Sequence, residues 1–488
     1  MIFAARTSFV PGVLRALLAA VLIATGICAH ARVDDPALTG EVLVKLRTST
    51  ALDSLLGKYQ LGVIGQFGKR PIYRLRLPDQ ANVKDTIAAL RLETDVLLAE
   101  ANMIFSSPEA RRNNAWAIGT PSDYTVQWAP EAMGLPAAQL RSTGAGVRIA
   151  VLDTGVDFRH EALAGRLLRG FDFVDYDDNP SEEGTQADAG FGHGTHVAGI
   201  VAMVAPDAKI LPLRVLNASG QGNAWVLAEA LLYAIDPDGD PLTSDGAHVI
   251  NMSLGTRTPT HILGTIAKLA TCEAGAANDD QDDEHSDAGY DDDKARCRSS
   301  SGVVIVAAAG NDATDTVREY PAAERAYGLL AVGASNAQSR RASFSNFGRW
   351  VDIAAAGEGI TSSVPGGYGT WSGTSMAAPF VAGAAALVRA LNPDMAPDDV
   401  ARRLVLSSTA LQGSKLRQLD VAGAVRETPL RGMTDRAPAL NDGAPATTNS
   451  PPAVTDSAAA VTSSPPVVTD SAPAVTESAP AVTDSPPS

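Results

Sequence analysis

The chain of 488 residues is 45% hydrophobic but only 5% aromatic, with 43 glycines, a composition suited to a large core built from small side chains. Its formal net charge of −16 argues against an electrostatic grip on nucleic acid. The acidity is uneven: residues 272–297 hold ten acidic and two basic side chains, a balance of −8, which reads as a solvated surface loop with a loose calcium site as the rival reading.

In chain order, residues 1–31 read as a secretory signal. Arg6 and Arg15 are the only charges before Arg32, and the apolar run over residues 16–28 is too short for a comfortable membrane span. Ala29-His30-Ala31 supplies a small-x-small cleavage site, so the cut is expected after Ala31 and no stable membrane insertion is expected. Ile27 is too bulky for the residue preceding a lipid-attachment cysteine, which speaks against lipidation of Cys28.

Residues 32–110 form the next expected unit. Residues 41–46 (EVLVKL) and 71–78 (PIYRLRLP) read as strands, and residues 83–91 carry apolar side chains at helical spacing. Together they predict a compact α+β module over about residues 41–105.

The largest expected unit spans residues 111–427. Four near-continuous apolar runs, 147–153, 209–216, 248–254 and 303–310, suit strands buried on both faces of a parallel sheet. Between and after them, residues 196–205, 223–235 and 375–391 have helical length and composition. The alternation predicts an α/β fold, a doubly wound and mostly parallel sheet flanked by helices, with the active site at the carboxyl ends of its strands. Cys272 and Cys297 bracket the acidic insertion, and in an oxidising compartment a disulfide between them is expected. In the chain-entropy model such a bridge contributes roughly 3 kcal/mol.

Residues 428–488 abandon the pattern. A Val-Thr pair returns at 454, 461, 468, 475 and 482, but proline in most repeats forbids a continuous helix, and a disordered tail is expected.

Three local sequences carry chemistry. Asp153 closes a predicted buried strand in IAVLDTG, His193 opens an apolar helix in GHGTHVAG, and Ser375 opens a small-residue helix in GTSMAAP. A serine hydroxyl attacks only when a base takes its proton; histidine does so near neutral pH, and a carboxylate fixes the ring's tautomer. Asn311, ending the strand VVIVAAAGN, offers an amide to the oxygen that turns negative in a tetrahedral intermediate, beside the Ser375 backbone N–H.

These four stretches, in the order Asp, His, Asn, Ser, resemble the subtilisin-like serine peptidases over roughly residues 120–427, with further matches at NMSLG (251–255) and RASFSNFG (341–348). The resemblance implies a serine endopeptidase with catalytic Asp153, His193 and Ser375 and an oxyanion donor in Asn311. It also implies that Ser253, Leu254 and Gly255 flank one side of an extended peptide substrate and Gly220, Gln221 and Gly222 the other. The module before the peptidase resembles the family's inhibitory propeptide, down to AEAN at 99–102. It is then expected to act as an intramolecular inhibitor and to be removed by self-cleavage between about Phe105 and Tyr124. Polypeptide substrates and an extracytoplasmic, secreted or periplasmic location in a bacterium follow from the same resemblance.

The chain also departs from the family. The sequence runs from HGTHVAGIVA almost directly to APDAKILPLRVL, leaving no room for the family's well-known calcium loop. No cofactor is expected to be needed for the chemistry and no metal ligand is assigned, while a structural calcium stays possible. Glu319, before Tyr320-Pro321, aligns with the base of the main specificity pocket and implies a preference for Lys or Arg on the acyl side of the cut.

Other readings are weaker. Asp153 is the only aspartate in a DTG sequence, whereas aspartic peptidases need two. His193 and His196, three apart, lack the further ligands of a zinc set, and Ala377 replaces the second glycine of an α/β-hydrolase elbow. A catalytically silent binding protein on the same fold remains the competing class.

Overall fold

A computed structural model describes residues 36–112, 115–273, 297 and 302–426. The expected signal, most of the acidic insertion and the expected tail lie outside the described residues.

The N-terminal module begins with β1 (Ala37–Leu46), α1 (Leu52–Tyr59), β2 (Gly62–Gln66), β3 (Ile72–Arg76), α2 (Val83–Leu90) and β4 (Val96–Ser106). β1 lies antiparallel between β3 and β4, and β2 pairs outside β3. Alternation decides the faces: Val42, Val44 and Leu46 of β1 pack with Tyr73, Leu75, Ile87 and Leu90 in a small core of their own. Asn82 caps α2 through bonds accepted from the backbone of Lys84 and Asp85. A one-turn helix, α3 (Pro108–Arg111), follows β4 with Ser107 as its cap.

Past β5 (Ala117–Gly119) and the short helices α4 (Pro121–Thr125), α5 (Trp128–Ala132) and α6 (Leu135–Gln139), the chain enters the large sheet. Its strands are β6 (Arg148–Asp153), β7 (Phe171–Asp172), β8 (Lys209–Arg214), β10 (Val249–Met252), β11 (Val304–Ala308), β12 (Leu329–Ser335), β13 (Ile353–Ala356), β16 (Thr409–Ala410) and β17 (Arg417–Gln418). Their order is β16-β17-β13-β12-β11-β10-β6-β8-β7, and every neighbouring pair except β16–β17 is parallel. The four apolar runs of the sequence are thus β6, β8, β10 and β11, each pairing within one sheet.

The helical stretches become α7 (His193–Val204), α8 (Ala224–Ile235) and α10 (Thr374–Leu391). α9 (His261–Thr271) joins α8 on one face, whereas α7 and α10 pack on the other. Small residues set how closely α7 and α10 approach: a Cβ at Gly383 would lie 2.5 Å from the Val204 Cβ. α10 is long and apolar enough to cross a membrane by length and composition, yet 89% of that window is buried inside the protein. Its hydrophobicity belongs to the core.

Two features were not foreseen. β14 (Ile360–Val364) and β15 (Gly367–Trp371) form a hairpin that β5 extends into a separate three-stranded sheet. A further helix, α11 (Pro397–Ser407), and the short α12 (Val421–Ala424) close the described chain. The expected disulfide joins Cys272 to Cys297, their Cα atoms 5.6 Å apart.

The N-terminal module is tied to the large-sheet unit by helix capping. Glu100 of β4 accepts bonds from the His261 and Ile262 N–H groups at the start of α9 (2.9 and 3.1 Å). Asn102 accepts from Trp225 N–H at the start of α8 (3.1 Å). Two helix ends whose N–H groups have no partner inside their own helix are satisfied by side chains of one strand.

Candidate active site

Asp153 sits at the carboxyl end of β6, and His193 is the first residue of α7. The His193 Nδ1 lies 2.6 Å from Asp153 Oδ1, and both side chains are buried. Asp153 Oδ1 also accepts from Thr154 N–H at 2.8 Å. Thr154 holds the pair from behind: its hydroxyl donates to Glu182 at 2.6 Å and accepts from Gly194 N–H at 2.9 Å. Glu182 also accepts from the Thr195 hydroxyl at 2.8 Å, and burial pushes its carboxyl up to about 7.

Ser375 is the second residue of α10. At that position its backbone N–H has no carbonyl to reach within the helix and points out of the helix N-terminus. Asn311 follows the end of β11, and its amide orientation is fixed by Thr374. Its Oδ1 accepts from Thr374 N–H (2.9 Å) and hydroxyl (3.0 Å), leaving Nδ2 to donate into the site.

The group that binds these residues together is one that sequence reasoning missed. The Glu109 carboxylate, from α3, accepts from Ser375 Oγ at 2.6 Å and from Asn311 Nδ2 at 2.7 Å. The oxygen facing Ser375 also lies 3.1 Å from His193 Nε2. Burial pushes this carboxyl up, but the bonds from His193, Ser375 and Asn311 outweigh it and hold it below the usual range. Burial likewise disfavours the His193 imidazolium, yet Asp153 and then Glu109 push the ring up to about 10. The sequence signal for Glu109 was the helix-start pattern Ser107-Pro108-Glu109, directly after a strand.

The residues assigned to a substrate groove lie along β4. Phe105 is opposite Gly222 and Ser106 opposite Gln221 on β9 (Gln221–Asn223), and Ser107 N–H donates to Gly220 O at 3.1 Å. On the other side Ser106 and Gly255 exchange both backbone bonds at 3.0 Å. Leu254 is buried in the core, and Ser253 turns its hydroxyl to the Ser375 carbonyl at 2.9 Å. Of that trio, then, Gly255 makes the strand contact.

Glu319 is fully buried, and its Oε1 lies 2.6 Å from Arg111 Nη2. A Cβ at Gly255 would come within 2.5 Å of that same oxygen, so glycine there leaves room for the carboxylate. His196, the second histidine of the motif, is a structural group. Its Nε2 faces the Ile360 and Gly369 carbonyls at 3.2 and 3.1 Å, and burial holds it down to about 3.

Three carboxylates, Asp172, Asp175 and Glu183, converge with spacing that suits a cation. The Arg214 guanidinium occupies their focus, bonded to Asp175 at 2.6 Å, to Glu183 at 2.7 Å and to Asp172. A fixed positive charge of the chain itself balances this cluster.

Comparison with known proteins follows the same division. Residues 144–424, more than half of the chain, match the model of the subtilase family, and residues 30–102 match that of the fervidolysin N-terminal prodomain. A thermophilic serine proteinase of Bacillus sp. (strain AK1) is 35% identical over 322 residues, covering 63% of this chain and 66% of that protein, just under two thirds of its length. Subtilisin Savinase of Lederbergia lenta is 36% identical over 303 residues, covering 60% of this chain and 94% of the relative. Among solved structures, fervidolysin from Fervidobacterium pennivorans, a keratinolytic enzyme, shares the fold with a TM-score of 0.61 at 22% identity, over 81% of this chain and 62% of that one. A protease from Pseudoalteromonas arctica superposes with a TM-score of 0.50 at 28% identity, over 63% of this chain and 98% of its own. The chain belongs to the subtilase family of serine peptidases and carries that family's fervidolysin-type prodomain.

Proposed function

We propose that this chain is a secreted, self-maturing serine endopeptidase that cuts after basic residues through an acyl-enzyme. One observation carries the reading: a single carboxylate is bound at once by Ser375, His193 and Asn311, the groups a tetrahedral intermediate requires.

In the reaction His193 Nε2 removes the Ser375 proton as Oγ attacks the substrate carbonyl. The resulting oxyanion takes the Asn311 amide and the Ser375 N–H. The imidazolium, steadied by Asp153, protonates the departing amine and leaves an ester on Ser375. Water, deprotonated by the same ring, then hydrolyses that ester and restores the hydroxyl. Once Glu109 has left the site its contribution to the imidazolium is gone, and the ring returns toward the range a general base needs at neutral pH.

The strand contacts of residues 104–107 support backbone recognition of an extended peptide between β9 and Gly255. Arg111 against Glu319 supports the basic preference, since a buried carboxylate is best matched by a guanidinium or ammonium. The N-terminal module fits the role of intramolecular inhibitor.

Substituting Ser375→Ala tests the whole reading. Peptide hydrolysis and removal of the N-terminal module should both disappear; a normally processed Ser375→Ala protein would overturn self-maturation, and retained hydrolysis would overturn the assignment of the nucleophile.

A further inference from the structure

Extended pairing of the N-terminal module stops at Ser107. Up to that residue the backbone alternates its bonds between Gly222, Gly255 and Gly220 as an added strand does. Pro108 has no N–H to continue the series. Ser107 Oγ instead accepts from Ala110 N–H at 3.3 Å, and Arg112 N–H donates to Glu109 O at 3.0 Å. The chain curls into the one-turn helix α3 with proline at its first position, where the helix tolerates it.

The consequence is that side chains, not a peptide bond, reach the catalytic groups. Glu109 presents its carboxylate to Ser375, His193 and Asn311, and Arg111 presents its guanidinium to Glu319. The two side chains, two residues apart on one turn, grip the catalytic site and the acidic pocket together.

We propose that the Ser107–Arg111 turn is a latch that silences the uncut precursor, with the Glu109 carboxylate filling the oxyanion site and Arg111 anchoring the turn. Self-cleavage then requires the turn to unwind before any peptide bond can meet Ser375. The latch rests on the endopeptidase reading above, because only a working Ser375 makes its release visible.

The test is the rate at which purified full-length precursor cuts itself, followed by intact mass. Glu109→Ala should accelerate that first-order step by about tenfold or more, because charge-assisted bonds to three groups are lost. Glu109→Gln keeps the shape but loses the ion pair with His193, and should fall between wild type and Glu109→Ala. A Glu109→Ala, Ser375→Ala double variant, which stays uncut, should melt as a folded protein close to Ser375→Ala alone, which separates latch release from misfolding. Unchanged or slower self-cleavage in both Glu109 variants, with that double variant folded, would overturn the latch while leaving the endopeptidase standing. Processing that persists in Ser375→Ala would instead sink the endopeptidase.

Discussion

Ser253 Oγ donates at 2.9 Å to the Ser375 carbonyl, the one carbonyl of α10 that Pro379 leaves without a helical partner. An α-helical carbonyl is normally met by the N–H four residues on, and proline at that place has none. Asn251 Nδ2 donates to the same hydroxyl at 3.0 Å and so fixes its direction. Asn251 and Ser253, at the end of β10, therefore set the Ser375 backbone. Ser253→Ala should cost about 1–3 kcal/mol of stability by leaving a buried carbonyl unmatched. Thermal melts and kcat of the mature enzyme check this together: an unchanged Tm with unchanged kcat would refute the positioning role.

Asn311→Ala removes a donor that Thr374 orients toward the reacting oxygen. A fall in kcat with little change in KM is expected, because the oxyanion exists only after attack. The expected loss is about 3 kcal/mol, a magnitude taken from the corresponding donor in subtilisin itself and not calculated from this structure. Steady-state kinetics on one peptide decides it; a rise in KM at constant kcat would assign Asn311 to ground-state binding.

Glu319→Gln should invert selectivity. A buried carboxylate that loses its charge no longer repays the desolvation of an incoming guanidinium. The ratio of kcat/KM for matched peptides ending in Arg and in Phe should drop at least about thirtyfold. Faster cleavage of the Phe peptide by the wild-type enzyme would discard the basic preference outright.

Self-cleavage of the precursor should follow pH through two groups. In the latched state Glu109 adds to the hold of Asp153 on the His193 proton and the ring is pushed up to about 10, so the Glu109 contribution to closure is lost as pH rises through about 10. It holds Glu109 ionised below the ordinary 4.5, so that contribution is present above 4.5 and lost as pH falls through the lowered value. The other ionisable groups around the pair are Asp153 and Glu182 behind His193, His196 on the same helix, and Arg111 paired with Glu319 on the near side. Processing should be slowest where His193 is protonated and Glu109 ionised, and should rise toward alkaline pH as the His193 proton is lost. In Glu109→Gln the rise should move toward neutrality, since Asp153 alone then supports the imidazolium. A profile unmoved by that substitution would contradict the charge coupling.

The sheet was legible because strands buried on both faces are apolar almost throughout, as β11 is at every position and as β6 and β10 are apart from Arg148, Asp153 and Asn251. Asp153, His193, Asn311 and Ser375 were legible because each sits where a strand or helix ends inside a run of small residues. Glu109 was not: an acidic residue in a polar turn looks like any solvated carboxylate until folding brings it 266 positions along the chain to Ser375. The β14–β15 hairpin hid for a related reason, since much of it is Ser, Thr and Gly, whose burial no hydropathy pattern marks. Thr154 and Glu182 likewise look like solvated side chains in the sequence, although Glu182 bonds two threonines behind Asp153.

The most direct measurement is reaction of the matured protein with a fluorophosphonate, followed by peptide mapping of the adduct. The account predicts one stoichiometric phosphonyl ester on Ser375, slowed by a competing peptide substrate. A mature protein that hydrolyses peptides yet takes no label, or takes it elsewhere, would contradict it.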